Sequence, residues 1–378
     1  MIYFDNNATT PVYKEVADII YEYMTKKFAN PNSIHKLGII ANDELFNSRE
    51  KISKLLKTNN NEIYFTSGAT ESINTALKGI AYANKNYGKH ILSTEAEHSA
   101  TINTLNNLKQ NGYEIEYLKI DKYGAVIIED LKNKIREDTI LVTLLAANNE
   151  IGTLNSIEEI SKIIKEKNKN TYFHVDCVQV VGKIDFDLKK YNCDLASFSA
   201  HKFHGPKGVG ILYKKEKTRI FPLIHGGSQE RGIRGGTQNL SGIVGTSIAI
   251  KKSFENLKEI DKIEKMRNYI AEELKKIDAD IITPLNNSVP NTLAVTFDNI
   301  RSDIIINALS EKNIYVSTSA ACSSKGASGS RVMKSLGYSE KKSKEIIRIS
   351  LSYLNTYEEA EIFVKIIKNI KNSLKFTN

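Results

Sequence analysis

The amino-acid sequence predicts an α/β fold in which a large domain, built on a mostly parallel mixed sheet, is joined to a smaller α+β domain. Up to about residue 240, short runs of β-branched and aromatic residues alternate with helix-like segments. Beyond that point, a long helical stretch rich in Lys and Glu precedes a few short strands and a last helix. Strands that alternate with helices indicate a mostly parallel sheet with helices on both faces.

In chain order, the first element is a helix, because apolar residues recur on one helical face between Val12 and Tyr23. A short strand at 63–66 then leads into a helix over 71–78. Further strands of the large domain are predicted at residues 90–93, 115–120, 140–145, 171–175, 195–198 and 209–213. Ser156 and Glu159 have the spacing of a capping box, which predicts the start of another helix.

The second part of the chain has a different pattern. A helical stretch runs from residue 242 to about 277, and Thr356 with Glu359 forms a second capping box before the last helix. Strands are predicted at residues 292–297, 314–317 and 346–351. We therefore assign residues 12–252 to the large domain, and residues 1–11 and 253–378 to the small domain, which carries a mobile cysteine loop at about 318–332.

Composition narrows the functional classes. The formal net charge of +9 could indicate an acidic partner, but the lysines are dispersed and no aromatic-basic motif accompanies them, so direct nucleic-acid binding is not expected. The first ten residues lack the basic and apolar regions of a secretory signal, and no apolar run approaches the roughly 20 residues that span a bilayer. We therefore expect a cytoplasmic protein without a membrane partner.

The three cysteines, Cys177, Cys193 and Cys322, lie far apart without a CxxC pair. They predict neither a metal site nor a disulfide framework. Cys177 and Cys193 are interpreted as inert small hydrophobic residues. Cys322 lies in a run of small residues after a predicted strand, which indicates an exposed and mobile thiol.

Ligands of open α/β sheets bind at the carboxyl ends of the strands, and polar residues follow several predicted strands here. The turn from Ser67 to Thr70 precedes a helix whose free N–H groups could bind a phosphate, although Ser67 could equally be a helix cap. Asp176 ends a β-branched strand, with Gln179 three residues later. A buried carboxylate needs a cation, which is either a protonated pyridine nitrogen or a structural salt-bridge partner.

Other strand ends carry a lysine, a histidine and an asparagine. Lys202 follows a strand and precedes glycine-rich backbone, so it is a candidate for imine chemistry or an ordinary loop lysine. His98 could stack on an aromatic ring or relay protons, and both His98 and Asn149 could be loop hydrogen-bonding residues. Arg348 lies among apolar residues and needs an anion, either a substrate carboxylate or an internal salt bridge.

Taken together, these motifs resemble the NifS/IscS family of cysteine desulfurases, which are pyridoxal phosphate (PLP) enzymes of the class-V aminotransferase group. The resemblance covers nearly the whole chain. It is carried by residues 3–11, 30–33, 67–72, 97–98, 148–152, 174–176, 199–208, 225–227, 234–239 and 319–322. It implies the PLP-dependent transferase fold of type I.

Carried over residue by residue, the resemblance implies a set of cofactor contacts. Lys202 would hold PLP covalently, Asp176 would pair with the pyridine nitrogen, Gln179 would meet the ring hydroxyl, and His98 would stack on the ring. The phosphate would be held by Ala69, Thr70, Ser199, His201 and, from the other subunit of a homodimer, Thr237.

The resemblance also implies the reaction. Asn149 and Arg348 would bind L-cysteine, with Arg348 on the carboxylate, and the Cys322 thiolate would accept the sulfur as a persulfide while alanine is released. The sulfur would pass to an iron–sulfur scaffold protein or another acceptor, and Cys322 is a candidate iron–sulfur ligand in such a complex. The alternative is a selenocysteine lyase or another class-V PLP aminotransferase, for which Cys322 would be dispensable.

Overall fold

The computed structural model describes residues 1–318 and 330–375. Within these ranges, seven strands form one large sheet in the order β2-β8-β7-β6-β5-β3-β4. The strands are β2 (Ile63–Thr66), β3 (His90–Ser93), β4 (Glu114–Tyr117), β5 (Thr139–Leu145), β6 (Tyr172–Asp176), β7 (Leu195–Ser199) and β8 (Gly210–Lys214). Strand β8 runs antiparallel to both neighbours and the other pairs are parallel, which confirms the mostly parallel mixed sheet.

Helices cover the two faces of this sheet, so its central strands, such as β5 and β7, are buried along their whole length. The helices of this part are α1 (Lys14–Thr25), α2 (Lys36–Leu55), α3 (Ala69–Ala83), α4 (Ser99–Gln110), α5 (Ile128–Lys134), α6 (Ile157–Lys167), α7 (Leu188–Tyr191) and α8 (Leu240–Glu255). Phe173, Val175 and Phe198 belong to the core on one face, and Ile91, Leu141 and Leu212 to the core on the other.

A second, antiparallel sheet has the order β12-β13-β10-β9. Its strands are β9 (Ala279–Ile281), β10 (Thr292–Phe297), β12 (Ser317–Thr318) and β13 (Ile346–Ser350). The surrounding helices are α9 (Ile260–Lys275), α10 (Ser302–Ser310), α11 (Arg331–Ser335), α12 (Glu340–Ser343) and α13 (Tyr357–Lys375). Val295, Ile347 and Phe363 lie in its separate core. The exact domain bounds stay a prediction.

The N-terminal segment belongs with this second part in space. Strand β1 (Ile2–Tyr3) pairs in parallel with β11 (Ile314–Tyr315), and Asp5 bridges Ser350 at the end of β13. Residues after Asp5 then continue toward the large sheet, where Thr10 N–H donates to the carbonyl of His201 at 3.0 Å. The N-terminal residues therefore lie between the two sheets.

Several local expectations are corrected by the structure. The predicted helix over 242–277 is interrupted by a 3-10 turn at Asn256–Glu259, where the buried residues change from the first core to the second. The predicted strand 314–317 is divided between β11 and β12, which lie in different sheets. Ser156 precedes helix α6 but makes no side-chain cap, whereas Thr356 and Glu359 cap each other's N–H groups at 3.2 and 3.1 Å.

A buried ion pair covers the outer edge of strand β2. Arg49 and Glu230 form two hydrogen bonds of 2.7 Å, and both side chains are buried. Arg49 also donates to the Ile63 carbonyl at 2.7 Å, and Glu230 accepts the N–H of Phe65 at 2.8 Å. The pair thus binds two outward backbone groups of β2, and Arg231 adds a second bond to the Ile63 carbonyl at 3.3 Å.

Among the described residues, no helix is long and apolar enough to cross a membrane.

We predict that Glu230→Gln lowers the free energy of unfolding by about 3 kcal/mol, because it leaves the Arg49 guanidinium buried without its carboxylate. Urea denaturation followed by circular dichroism measures the change. Glu114→Gln is the control, because Glu114 pairs with Arg136 at an exposed site and its loss should change stability little. Equal effects of the two substitutions would contradict the role given to the buried pair.

Candidate active site

A cavity of about 500 Å³ lies at the carboxyl ends of β5, β6 and β7. This size is typical of a small-molecule or cofactor site. Ten of the residues predicted from the sequence line it: Ala69, Thr70, His98, Asn149, Asp176, Gln179, Ser199, His201, Lys202 and Arg348. Thr237 is exposed and does not line this cavity in the single chain, and Cys322 lies outside the described residues.

Lys202 is positioned by a 3-10 turn, Ala200–Lys202, that directly follows β7. Its Nζ donates to the carbonyl oxygens of Asn7 and Ala8 at 2.6 and 2.9 Å. The neighbouring His201 contacts the Thr9 hydroxyl through Nδ1 at 3.1 Å. The N-terminal segment therefore supplies the polar groups that hold the lysine.

Asp176 is the last residue of β6 and is buried. Its Oδ1 accepts the Val178 N–H at 3.0 Å. Burial raises the pKa of Asp176 to about 6, while the Val178 hydrogen bond and the charge of Lys202 act in the opposite direction. At neutral pH this group is therefore mostly a carboxylate, and it favours a cationic ligand atom in the cavity.

His98 is the N-cap of α4, and its Nδ1 accepts the Ala100 N–H at 3.1 Å. Burial and the nearby Lys202 charge lower the pKa of His98 to about 4. The imidazole is therefore neutral at pH 7 and carries its proton on Nε2. A neutral, flat ring at the cavity wall suits stacking on another ring.

The turn before α3 has the features of an anion site. Gly68 is the N-cap without a side-chain cap, and the first N–H groups of a helix have no intrahelical partner. The N-cap position belongs to Gly68 and not to Ser67, whose N–H donates to Glu71 at 2.8 Å. Gly210 on β8 packs so closely that a Cβ there would lie 2.4 Å from the Thr66 hydroxyl. This close packing fixes the start of α3 at the cavity.

Arg348 lies at the middle of β13 and is buried. Its Nη2 donates to Asp5 at 2.7 Å and its Nη1 to the Asn149 carbonyl at 3.1 Å, so the internal salt bridge considered from the sequence is present. Within residues 1–318 and 330–375, Nε of Arg348 and Oδ1 of Asn149 are buried without a hydrogen-bond partner. Asn149 and Arg348 both line the cavity, so these two groups are candidates to bind a polar ligand.

Both ends of the segment that contains Cys322 adjoin these residues. Ser317 pairs with Arg348 and Thr318 with Ile347 in the register of β12 and β13. On the other side, the Ser330 hydroxyl donates to Glu150 at 2.5 Å. Cys177 and Cys193 are buried free thiols, and burial raises the pKa of each.

Sequence reasoning missed the residues that hold Lys202 and Gln179. Asn7 and Ala8 act through main-chain carbonyls, which have no side-chain signature, and Asp5 lies far along the chain from Arg348. Lys183 contacts Gln179 and Asn7 and was not selected either. Lys183 lies four residues after Gln179, which is the spacing of neighbours on one face of a helix. These residues lie in turns and not in a helix, so the spacing did not predict their contact.

Comparison with known proteins places the chain in a family. The family model "Aminotransferase class-V" matches residues 2–363. A cysteine desulfurase IscS from Methanosarcina thermophila is 42% identical over 379 residues, covering 99% of this chain and 93% of that protein. A cysteine desulfurase IscS from Dictyoglomus turgidum is 40% identical over 99% of this chain and 95% of its own.

Solved structures of similar proteins support the same family. A NifS-like protein has a TM-score of 0.93 at 45% identity, with 99% of each chain covered. A NifS-like protein from Rickettsia africae has a TM-score of 0.88 at 32% identity over 98% of this chain and 99% of that one. With the site geometry and these matches, the chain belongs to the class-V aminotransferase family and, within it, to the NifS/IscS cysteine desulfurases.

Proposed function

We propose that this protein is a cysteine desulfurase that uses PLP to convert L-cysteine into L-alanine, leaving the sulfur as a persulfide on Cys322. The observation that carries the proposal is the meeting of Asp176, His98, Lys202 and Arg348 in one cavity. A buried carboxylate, a neutral imidazole, a lysine and a buried arginine together match the needs of a pyridine cofactor and an amino-acid substrate.

The residues present fit PLP. Asp176 offers a negative charge to the ring nitrogen, and His98 offers a neutral ring for stacking. The start of α3, at Ala69 and Thr70, with Ser199 and His201, is assigned to the phosphate. When bound, the cofactor supplies an electron sink for negative charge that develops at Cα of the substrate.

Lys202 is assigned two roles, as the covalent attachment point of the cofactor and, once released, as the base that moves the proton at the substrate Cα. The carbonyls of Asn7 and Ala8 fix its Nζ at the cavity. A positioned amine of this kind needs no large movement between the two roles.

Arg348 and Asn149 are assigned to the substrate. The guanidinium can bind a carboxylate through more than one N–H, and its Nε is free of hydrogen bonds within the described residues. Asp5 already occupies Nη2, so it orients the guanidinium and partly neutralises it. The buried Oδ1 of Asn149 is left to accept a hydrogen bond, which a substrate amine can donate.

Cys322 is assigned as the sulfur acceptor. The sequence has three cysteines, and the other two are buried with raised pKa values. Cys322 is four residues from Thr318, so an extended chain reaches about 14 Å from the end of β12 beside Arg348. Its thiolate attacks the substrate sulfur, the S–S bond forms as the Cβ–S bond breaks, and protonation of the carbon side gives alanine.

The proposed assembly is a homodimer. Large apolar side chains are exposed on α1, α2 and the link between them, including Tyr21, Met24, Phe28, Ile34 and Leu37. A cluster of this kind is typical of an interface. In the dimer, Thr237 would reach the phosphate of the partner's cofactor, which accounts for its exposure in the single chain.

The persulfide would be delivered to an iron–sulfur scaffold protein or another thiol acceptor, and we place the protein in the cytoplasm. Cys322 is also the candidate iron–sulfur ligand in a complex with such a scaffold.

Replacing Cys322 separates this function from that of a selenocysteine lyase or ordinary aminotransferase. Cys322→Ala should keep the yellow cofactor and lose sulfide release from L-cysteine by roughly 100-fold or more, because the nucleophile is gone. Sulfide is measured in the presence of a thiol reductant. Cys193→Ala, at the opposite end of β7, should retain activity. Full activity of Cys322→Ala would exclude the desulfurase mechanism stated here.

Lys202→Ala should abolish both the stable yellow colour and turnover. The cofactor then dissociates on gel filtration because no covalent bond holds it, and the Cα proton has no base. Absorption spectra before and after the column, with sulfide release, measure both losses. Lys165→Ala removes a half-buried lysine of α6 that pairs with Asp194, before the start of β7, and should change neither. A variant that keeps bound cofactor and activity would overturn the assignment.

The double substitution Phe28→Asp and Ile34→Asp should convert the dimer to monomers, because two charges would be buried at the interface. Sedimentation equilibrium measures the mass, and cofactor titration measures binding, which should weaken because Thr237 of the partner is lost. Tyr87→Asp, at another exposed aromatic residue, is the control. An unchanged dimer in the double variant would place the interface elsewhere.

A further inference from the structure

Lys183 is a buried lysine that does not line the cavity and has no role in the function proposed above. Its Nζ donates to Oδ1 of Asn7 at 3.0 Å and to Oε1 of Gln179. Among the ion pairs of the described residues, none includes Lys183. Burial and the charges of Lys202 and Arg348 hold the pKa of Lys183 well below its usual range. A buried amine without a carboxylate is costly, so its two hydrogen bonds need an explanation.

The two contacts of Gln179 fix which end of its amide faces each neighbour. The Asn7 carbonyl can only accept, so the group that contacts it at 3.2 Å is Nε2 of Gln179. Oε1 is held by Lys183 on the other side. Gln179 lines the cavity, and the second N–H of its amide is therefore the hydrogen-bonding group left for a ligand.

Asn7 is held in one orientation by the same lysine. Its Oδ1 accepts from Lys183 and from Asn291 at 3.2 Å, while its Nδ2 donates to Thr292 at 2.8 Å. The Asn7 carbonyl in turn receives Nζ of Lys202. Lys183 thus contacts both Gln179 and Asn7, and these two residues line the cavity.

We propose that Lys183 is a positioning residue that fixes Gln179 as a hydrogen-bond donor toward an anionic ring oxygen of the cofactor. The inference rests on the proposed PLP function. If Lys183 were absent, only the 3.2 Å bond from Nε2 to the Asn7 carbonyl would hold the Gln179 amide, and the amide could more readily rotate and turn its oxygen toward the ligand. A donor stabilises an anionic oxygen through a charge-assisted hydrogen bond, whereas an amide oxygen repels it.

The test compares Lys183→Met with Lys183→Gln in the full-length protein. The two side chains have similar length, but only Gln can donate a hydrogen bond. We expect Lys183→Met to bind PLP about tenfold more weakly. It should also shift the pH midpoint of the bound cofactor's absorption, whereas Lys183→Gln should remain closer to the unsubstituted protein in both measurements.

The double variant Lys183→Met with Gln179→Leu shows whether Lys183 acts through Gln179. If it does, the double variant has the same spectral shift and PLP affinity as Gln179→Leu alone. Additive effects, equal behaviour of Lys183→Met and Lys183→Gln, or an unshifted spectrum in Lys183→Met would overturn the inference.

Thermal unfolding of the apo-protein provides the structural control. Lys214 is as exposed as Lys183, at 7%, and donates to main-chain carbonyls at the far end of β8. Lys214→Met should lower the melting temperature without moving the cofactor spectrum. Failure of the unsubstituted protein to bind PLP would refute the proposed function itself, which distinguishes that failure from an error about Lys183.

Discussion

The buried carboxylate of Asp176 is the charge on which the site depends. It lies at the end of a strand covered on both sides, so its ionised form is stable only with a cation nearby. Glu97 lies close enough for the two charges to interact: burial and the Asp176 charge raise the pKa of Glu97 to about 8, against hydrogen bonds from Leu145 and Thr94. At neutral pH, Glu97 is therefore mostly uncharged. Glu97 thus adds no second negative charge beside Asp176.

The N-terminal segment holds two other groups of the site. Its first strand pairs beside the small sheet, Asp5 holds Arg348, and the carbonyl of Asn7 holds Lys202. The groups assigned to the substrate carboxylate and to proton transfer are therefore fixed by one short stretch of chain.

The sequence predicts the buried, regular elements well. Strands β2, β3 and β10 have the predicted bounds, because buried runs of β-branched and aromatic residues end at turn residues. Strand β4 ends earlier than predicted, since it lies at the edge of the sheet and is partly exposed, so burial does not define its end. Arg348 stayed ambiguous in the sequence because its partner Asp5 lies 343 residues away. Main-chain acceptors, such as the Asn7 carbonyl, leave no residue pattern from which they could be predicted.

The chemistry requires a thiol that is not part of either packed core. Burial raises the pKa of Cys177 and Cys193, so neither can supply a thiolate near neutral pH. A sulfur acceptor must also reach the substrate and then leave with its cargo, which no residue on a buried strand can do. Thr318 and Ser330 stand at the two ends of the cysteine segment: Thr318 pairs with the strand of Arg348, and Ser330 bonds Glu150, the neighbour of Asn149. Both described ends of the cysteine segment are therefore tied to the strand and the loop that carry the residues assigned to the substrate.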